Sequence, residues 1–374
     1  MRFETRAVHA GGSPDRETGA ATPPIHLSTT FEHGPAGEPR GGHIYIRESN
    51  PTQSRLEEAL AAIEGGEAAL VFASGVAAGA AYLQALDPGS HVLFHRDIYY
   101  AFRTMAQEYL PRWGLESSFA DLTDPAATRA GIRPNTRLLW AETPTNPLMQ
   151  VLDLRALAAE ASRAGARLLV DGTFATPALQ RPLELGADVV LHSTTKYLGG
   201  HSDVLGGALV VRAPDDRFVR VQHNRHILGP IASPFASWMV LRGLRTLACR
   251  VERQSANALA IAQALEGHPR LVAVHYPGLL SNPGHEVAKR QMSAFGAMMA
   301  LRVAGGREGA VGVARRVRLF TNATSLGGVE SLLEHRVSVE SPDTTTPDDL
   351  LRLSIGLEHP DDLIEDLRQA LDGG

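Results

Sequence analysis

Ala187-Asp188-Val189-Val190-Leu191-His192-Ser193-Thr194-Thr195-Lys196-Tyr197-Leu198-Gly199-Gly200 is the stretch on which the reading of this chain turns. It opens as a short apolar run, the pattern of a strand buried on both faces, then passes through hydroxyls to a lysine and a glycine pair. Of the 36 basic residues in the chain, only two are lysine. The other, Lys289, lies in the polar, helix-like His285-Glu286-Val287-Ala288-Lys289-Arg290. A guanidinium stays protonated and cannot attack a carbonyl, whereas an amine can shed its proton. A lysine kept at the end of a buried strand therefore points to a Schiff-base nucleophile rather than a surface charge.

Working outward, apolar runs alternate with helix patterns. Ala69-Leu70-Val71-Phe72 precedes a helical 76–86, His91-Val92-Leu93-Phe94 precedes 100–109, and Arg137-Leu138-Leu139-Trp140 precedes 154–163. Arg167-Leu168-Leu169-Val170 leads to Asp171. This alternation predicts an α/β fold with a mostly parallel central sheet and helices on both faces. Residues 1–50, rich in Gly, Pro and Thr, read as an extended arm. Asn50-Pro51-Thr52 marks the start of a helix over 53–62. One long helical region spans about 235–265, followed by short strands and helices. The expected division is an arm at 1–50, an α/β domain at 51–238 and a smaller C-terminal α/β domain at 239–374.

Composition narrows the function. The chain has 374 residues, 44% hydrophobic and 21% charged, with a formal net charge of −5. No basic field suggests nucleic acid, and no apolar run approaches the roughly 20 residues that cross a bilayer. The N-terminus has no apolar signal segment, so a cytoplasmic location is expected. Cys249, the sole cysteine, excludes an internal disulfide and reads as a core residue of a helix. His223 and His226 have no carboxylate or cysteine nearby, so no metal site is expected.

In parallel α/β sheets, ligands bind at the carboxyl ends of the strands. Those ends carry Ser74-Gly75-Val76, where a helix N-terminus offers N–H groups to a phosphate, although a tight strand–helix turn would look the same. They also carry Glu142-Thr143-Pro144-Thr145-Asn146, Asp171-Gly172-Thr173, and Ser193, Thr195 and Lys196. A carboxylate directly after a buried strand needs a donor or cationic partner, which a protonated pyridine nitrogen supplies. Two hydroxyls suit a phosphate, and the amine suits an aldehyde. Phosphate, pyridine nitrogen and aldehyde are the three polar handles of pyridoxal 5'-phosphate.

These segments resemble the Cys/Met-metabolism (trans-sulfuration) family of pyridoxal-phosphate enzymes, which includes cystathionine γ-synthase, the cystathionine lyases and methionine γ-lyase. The resemblance spans nearly the whole chain and is most specific in the lysine segment and in Ser325-Leu326-Gly327-Gly328-Val329-Glu330-Ser331-Leu332. It implies the type I fold of pyridoxal-phosphate enzymes and a homo-oligomer, a dimer of dimers, acting on a small amino acid. Lys196 would be the Schiff-base lysine and proton carrier. Asp171 would face the ring nitrogen with Thr173 beside it, and Gly75, Val76, Ser193 and Thr195 would hold the phosphate. Tyr99 would stack on the ring as a candidate acid/base. Tyr45 and Arg47 would reach the phosphate of a neighbouring subunit. Arg352 would grip the substrate carboxylate, with Ser325 and Asn146 lining the same pocket.

The chain also departs from the family pattern. Tyr99-Tyr100-Ala101-Phe102 stands where the family usually has Tyr-Gly-Gly-Thr, adding bulk beside Tyr99, and the cysteine that methionine γ-lyases often carry near there is missing. Thr324 precedes the Ser-Leu-Gly-Gly motif where members that hold the distal ammonium of cystathionine often have an acid. Glu334-His335-Arg336-Val337-Ser338-Val339-Glu340 differs from the common Met-Thr-His version, and Glu48 or Glu340 is the candidate substitute acid. The expected activity is a carbon–sulfur lyase cleaving cystathionine or a related substrate by β- or γ-elimination. The alternative is γ-replacement on an O-acyl-homoserine, ahead of an aminotransferase or a non-catalytic cofactor-binding protein.

Overall fold

The computed structural model describes residues 1–340 and 344–373. Seven strands form the larger sheet: β1 (Ala68–Phe72), β2 (His91–His95), β3 (Glu116–Ala120), β4 (Thr136–Glu142), β5 (Arg167–Asp171), β6 (Val189–His192) and β7 (Gly207–Val211). Their order is β1-β7-β6-β5-β4-β2-β3. All neighbours pair in parallel except those of β7, which runs antiparallel to both β1 and β6.

The uninterrupted apolar runs are explained by which way alternate residues face. Leu138 and Trp140 of β4 join Val92, Phe94, Leu169 and Leu191 in one core, while Leu139 and Ala141 join Leu93, Leu168 and Val170 in another. Side chains alternate along a strand, so a sheet covered on both faces needs an apolar residue at every position. Each fully buried Leu, Val or Phe contributes about 1.5–3 kcal/mol, and the polar residues fall at strand ends, as His91, His95 and His192 do, or on the edge strand β3.

Helices begin where side-chain oxygens can cap them. Asn50 accepts from the Thr52 amide at 2.9 Å at the start of helix Pro51–Glu64, and Ser74 accepts from the Ala77 amide at 3.1 Å at the start of helix Gly75–Leu83. The predicted 235–265 helix is two helices, Pro234–Leu244 and Leu247–Leu265, interrupted at Arg245 and Thr246. Cys249 is exposed rather than in the core, because the second of these helices turns Leu247, Arg250, Val251 and Gln254 inward instead.

A second sheet contains β8 (Leu271–His275), β9 (Met298–Val303), β10 (Thr321–Asn322), β11 (Leu332–His335) and β12 (Leu350–Ser354), in the order β10-β11-β12-β9-β8. It is antiparallel except for β10 beside β11. The first 50 residues are less extended than their composition suggests. A short helix, Phe3–His9, buries Ala7, and Trp238 Nε1 donates to the Pro23 carbonyl at 3.0 Å. Most of the segment 27–48 remains exposed.

Candidate active site

Between the carboxyl ends of β1, β4, β5 and β6 and the second sheet lies a cavity of about 310 Å³. At one end, Gly75 opens its helix directly against Ser193. A Cβ at Gly75 would lie 3.0 Å from Ser193 Cα, so only glycine lets the helix N-terminus and the Ser193 hydroxyl converge there. Val76 and Thr195 line the same end, with Thr195 Oγ accepting from the Gly206 amide at 3.0 Å. Among the described residues, the cations lining the cavity are Lys196, Arg336 and Arg352. The other walls of this end are hydroxyls and backbone.

Asp171 ends β5, buried, its Oδ1 accepting from the Thr173 amide at 3.0 Å, while Thr173 Oγ accepts from the Ser193 amide at 2.9 Å. Thr173 thereby ties the carboxylate to the hydroxyl end. Burial raises the pKa of Asp171, and the Thr173 hydrogen bonds and the His192 ring oppose that rise. Glu142 lies opposite Asp171 in the β4–β5 register and is raised well above the usual carboxylate range by burial, then by the Asp171 charge. Its Oε2 accepts from the Tyr99 amide at 2.7 Å, so this carboxylate positions the tyrosine loop. Asp97 and Thr145, joined at 2.5 Å, tie that loop to the segment bearing Asn146. Beneath the sheet end, His192 Nε2 meets Glu64 in a buried pair that supports β6.

Lys196 Nζ donates to Ser325 Oγ at 2.8 Å. Burial first, then the Arg352 charge, lowers its pKa from 10.5 to about 8. The turn after it is clamped by the buried Arg250, which donates to the Tyr197 carbonyl at 2.9 Å and to that of Gly243 at 2.8 Å. Gly327, at φ +76°, comes so close that a Cβ would sit 2.6 Å from the Tyr197 amide nitrogen. Ser325 has φ 91°, a backbone cost of about 1–3 kcal/mol. Arg352 Nη2 holds it in place by donating to the Ser325 carbonyl at 3.0 Å.

Arg352 is buried and faces the cavity, not solvent, and its Nη1 donates to Asn146 Oδ1 at 3.1 Å. Its register partner on β11 is Glu334, which also forms an ion pair with it. Tyr99 is pushed up to about 12 by burial and then by Tyr100, whose ring stands 4.8 Å away. Phe102 packs beside Trp140, centroids 4.6 Å apart, and also stands edge-on to Tyr99 at 6.2 Å, lining the cavity.

All the predicted site residues line this one cavity except Tyr45 and Arg47. Those two are exposed, the Arg47 guanidinium 5.1 Å from the Tyr45 ring centroid. The sequence placed Glu142 at a ligand-side strand end and marked the segment holding Glu334 and Arg336 as unusual, but assigned none of the three a role in the site. Glu340, a candidate for a distal ammonium, is instead occupied by Arg336, Thr344 and Thr346.

A hydroxyl-and-amide end for an anion, a buried carboxylate and an amine whose pKa is lowered to about 8 fit pyridoxal phosphate. The comparisons point the same way. A cystathionine gamma-synthase of Mycobacterium tuberculosis is 48% identical, covering 98% of this chain and 96% of its own length. Among solved structures, metB from Corynebacterium glutamicum superposes with a TM-score of 0.97 at 42% identity, covering 100% of this chain and 98% of its own. A methionine gamma lyase, CalE6 from Micromonospora echinospora, superposes at 0.93 with 44% identity, covering 99% of each chain. The family described as Cys/Met metabolism PLP-dependent enzyme matches residues 4–372, and the chain belongs to that family of pyridoxal-phosphate enzymes.

Proposed function

We propose that this enzyme breaks the carbon–sulfur bond of cystathionine or a related amino acid by β- or γ-elimination, with Lys196 moving the protons. The observation that carries this reading is a half-buried amine bonded to Ser325 at 2.8 Å in the cavity that Asp171 and the buried Arg352 also line, with its pKa lowered to about 8 by burial first. Pyridoxal phosphate, when bound, supplies an electron-withdrawing ring that stabilises negative charge on substrate carbons. Asp171 would pair with the ring nitrogen, and Gly75, Val76, Ser193 and Thr195 would hold the phosphate.

The chain's own residues would do the rest. Arg352 presents a planar fork to the substrate carboxylate and, with Asn146 and Ser325, orients the bond to be broken. Lys196 Nζ can hold or release a proton near neutral pH, and its strand-end position lets it serve adjacent carbons in turn. Tyr99, with a pKa near 12, keeps its phenolic proton at neutral pH and so enters as a donor.

The same reading includes a shared site in a homo-oligomer, in the cytoplasm. The hydroxyl end of the cavity lacks a cation to meet a phosphate dianion, and Arg47 stands exposed on the arm with no acid paired to it among the described residues. An arm reaching a second copy would supply the missing charge.

γ-Replacement is a second reading, favoured by the 48% identity to a cystathionine gamma-synthase. The test is kcat/KM for cystathionine cleavage, followed as thiol, ammonia and 2-oxo acid, against γ-replacement of an O-acyl-homoserine by cysteine. Elimination is expected to dominate. Dominant replacement would make the enzyme a γ-synthase.

A further inference from the structure

We propose that Arg336 is a second carboxylate site, selecting substrates whose departing arm carries its own carboxylate over otherwise similar substrates whose arm is neutral. This rests on the reading of the cavity as an amino-acid site with Arg352 at the α-carboxylate.

Arg336 opens the short 3₁₀ turn Arg336–Val339 directly after β11, and its side chain is 4% exposed. Nη1 donates to Glu334 Oε1 at 2.9 Å and Nε donates to Glu340 Oε1 at 2.6 Å. Nη2 is buried and has no hydrogen-bond partner among the described residues, although the side chain lines the cavity. A buried guanidinium N–H left unmet is costly, and a planar fork with its remaining N–H groups free is the arrangement that binds a carboxylate.

The surroundings hold the group in place and keep it charged. Glu340, itself fixed by Thr344 and Thr346, and Glu334 together outweigh the opposing effect of burial and raise the Arg336 pKa. The Tyr100 ring lies over the guanidinium, 5.8 Å from its centroid to Cζ. Glu334 Oε1 bridges Arg336 to Arg352, so the two forks belong to one rigid cluster. A substrate gripped at Arg352 would have its side chain in the same cavity as Arg336. Thr324, at the rim, offers no charge there, and Glu340 is already engaged. Glu334 Oε2 is also unpartnered, but Glu334 is not among the residues lining the cavity, so the free valence on its wall here is a donor from a cation, which selects an anion. Cystathionine and O-succinyl-homoserine both carry a carboxylate on the arm that leaves, whereas methionine and O-acetyl-homoserine do not.

The test uses the holoenzyme, Arg336→Gln, Arg336→Lys and the double variant Arg336→Gln/Glu340→Gln, which removes one charge of each sign and protects against misfolding from an unpaired glutamate. The first readout is the ratio of kcat/KM for O-succinyl- over O-acetyl-homoserine. The second is binding of 2-aminopimelate against norleucine, followed as the change in the cofactor's visible absorption band, which needs no turnover. The wild-type enzyme should favour the dicarboxylate of each pair. Both Gln variants should lower each preference about tenfold, and Arg336→Lys should retain part of it. A purely structural role would depress both members of each pair alike, and an unchanged ratio overturns the proposal. If the wild-type enzyme prefers 2-aminopimelate, and Arg336→Gln abolishes the preference, while no γ-substituted substrate is turned over, the carboxylate site stands and the assigned reaction fails.

Discussion

The end of the cavity under the large sheet takes its chemistry from single functional groups one to three positions apart at strand ends, whereas the end under the small sheet is a charge cluster in which neighbouring strands and the turn after one of them pair their charges with one another. Asp171 and Thr173, or Ser193, Thr195 and Lys196, act as neighbours in sequence and in space. Glu334, Arg336, Glu340 and Arg352 come from β11, the turn after it and β12, and none has its present role without the others. The first arrangement places single functional groups on a rigid frame, so removing one should change chemistry and little else. In the second, every charge is buried and balanced by another, so removing one should strain the structure as well as the site.

The largest effects should come at the large-sheet end. Lys196→Ala should lower kcat by on the order of 10³-fold or more, the upper range for a lost proton carrier, with an unfolding midpoint close to that of the parent when both are cofactor-free. Asp171→Asn should still bind cofactor but lose about 10²–10³-fold in kcat, the size seen when a preorganised charge is removed. Steady-state kinetics and thermal melts check both. A collapse of the melting temperature in either variant would erase the contrast between the two ends.

Glu334→Gln probes the other end. One neutral amide would replace the carboxylate that two buried arginines share. Breaking a buried pair by removing one partner costs about 3–5 kcal/mol, so this variant should be visibly destabilised in chemical denaturation and should also raise KM, because Arg352 loses its orienting partner. Full stability with impaired KM would mean that the cluster serves binding alone.

The same contrast explains what could be read in advance. The large sheet was legible because a doubly covered parallel strand needs an unbroken apolar run, and its polar end marks the ligand side: Leu168, Leu169 and Val170 lead straight to Asp171. The lysine turn was legible because Lys196 stands almost alone among arginines. Arg352 within Leu351-Arg352-Leu353-Ser354 has the alternation of a strand with one wet face, and only the Glu334 side chain across the ladder makes its burial intelligible. Arg336 and Glu340, four apart after a strand, resemble any surface ion pair until the turn buries them. Cys249 misled because the apolar residues of Leu247-Ala248-Cys249-Arg250-Val251 do not by themselves say which face of the helix is inward.

The arm tests whether the large-sheet end is complete within one chain. Arg47→Ala should weaken cofactor binding about tenfold or more, the scale of one charge-assisted hydrogen bond. Mixing it with Lys196→Ala subunits should restore activity at hybrid interfaces, where one site receives both an intact lysine and an intact arm. Absence of complementation in demonstrably mixed oligomers would confine the site to a single chain.

The smallest expected effect joins the two ends, because a charge in the cluster acts on the lysine. Burial and then Arg352 lower Lys196 from 10.5 to about 8. In the unfolded chain the amine keeps its proton up to about 10.5, so between pH 8 and 10.5 the unfolded state binds more protons than the folded one. The contribution of this group to stability therefore rises with pH across that window, and is fully lost once pH falls below 8 and the half-buried amine must carry its charge. Attack on an aldehyde needs the neutral amine, which makes up roughly a tenth of the total one unit below the pKa. Cofactor-free enzyme should accordingly capture pyridoxal phosphate about tenfold faster per pH unit up to a plateau near 8, followed by the growth of its visible absorption. Arg352→Met removes the second-largest cause of the depression, so the plateau should move to higher pH, by less than burial itself accounts for. A plateau that stays at the parent's pH would remove Arg352 from the causes of the depression and count against electrostatic coupling between the two ends.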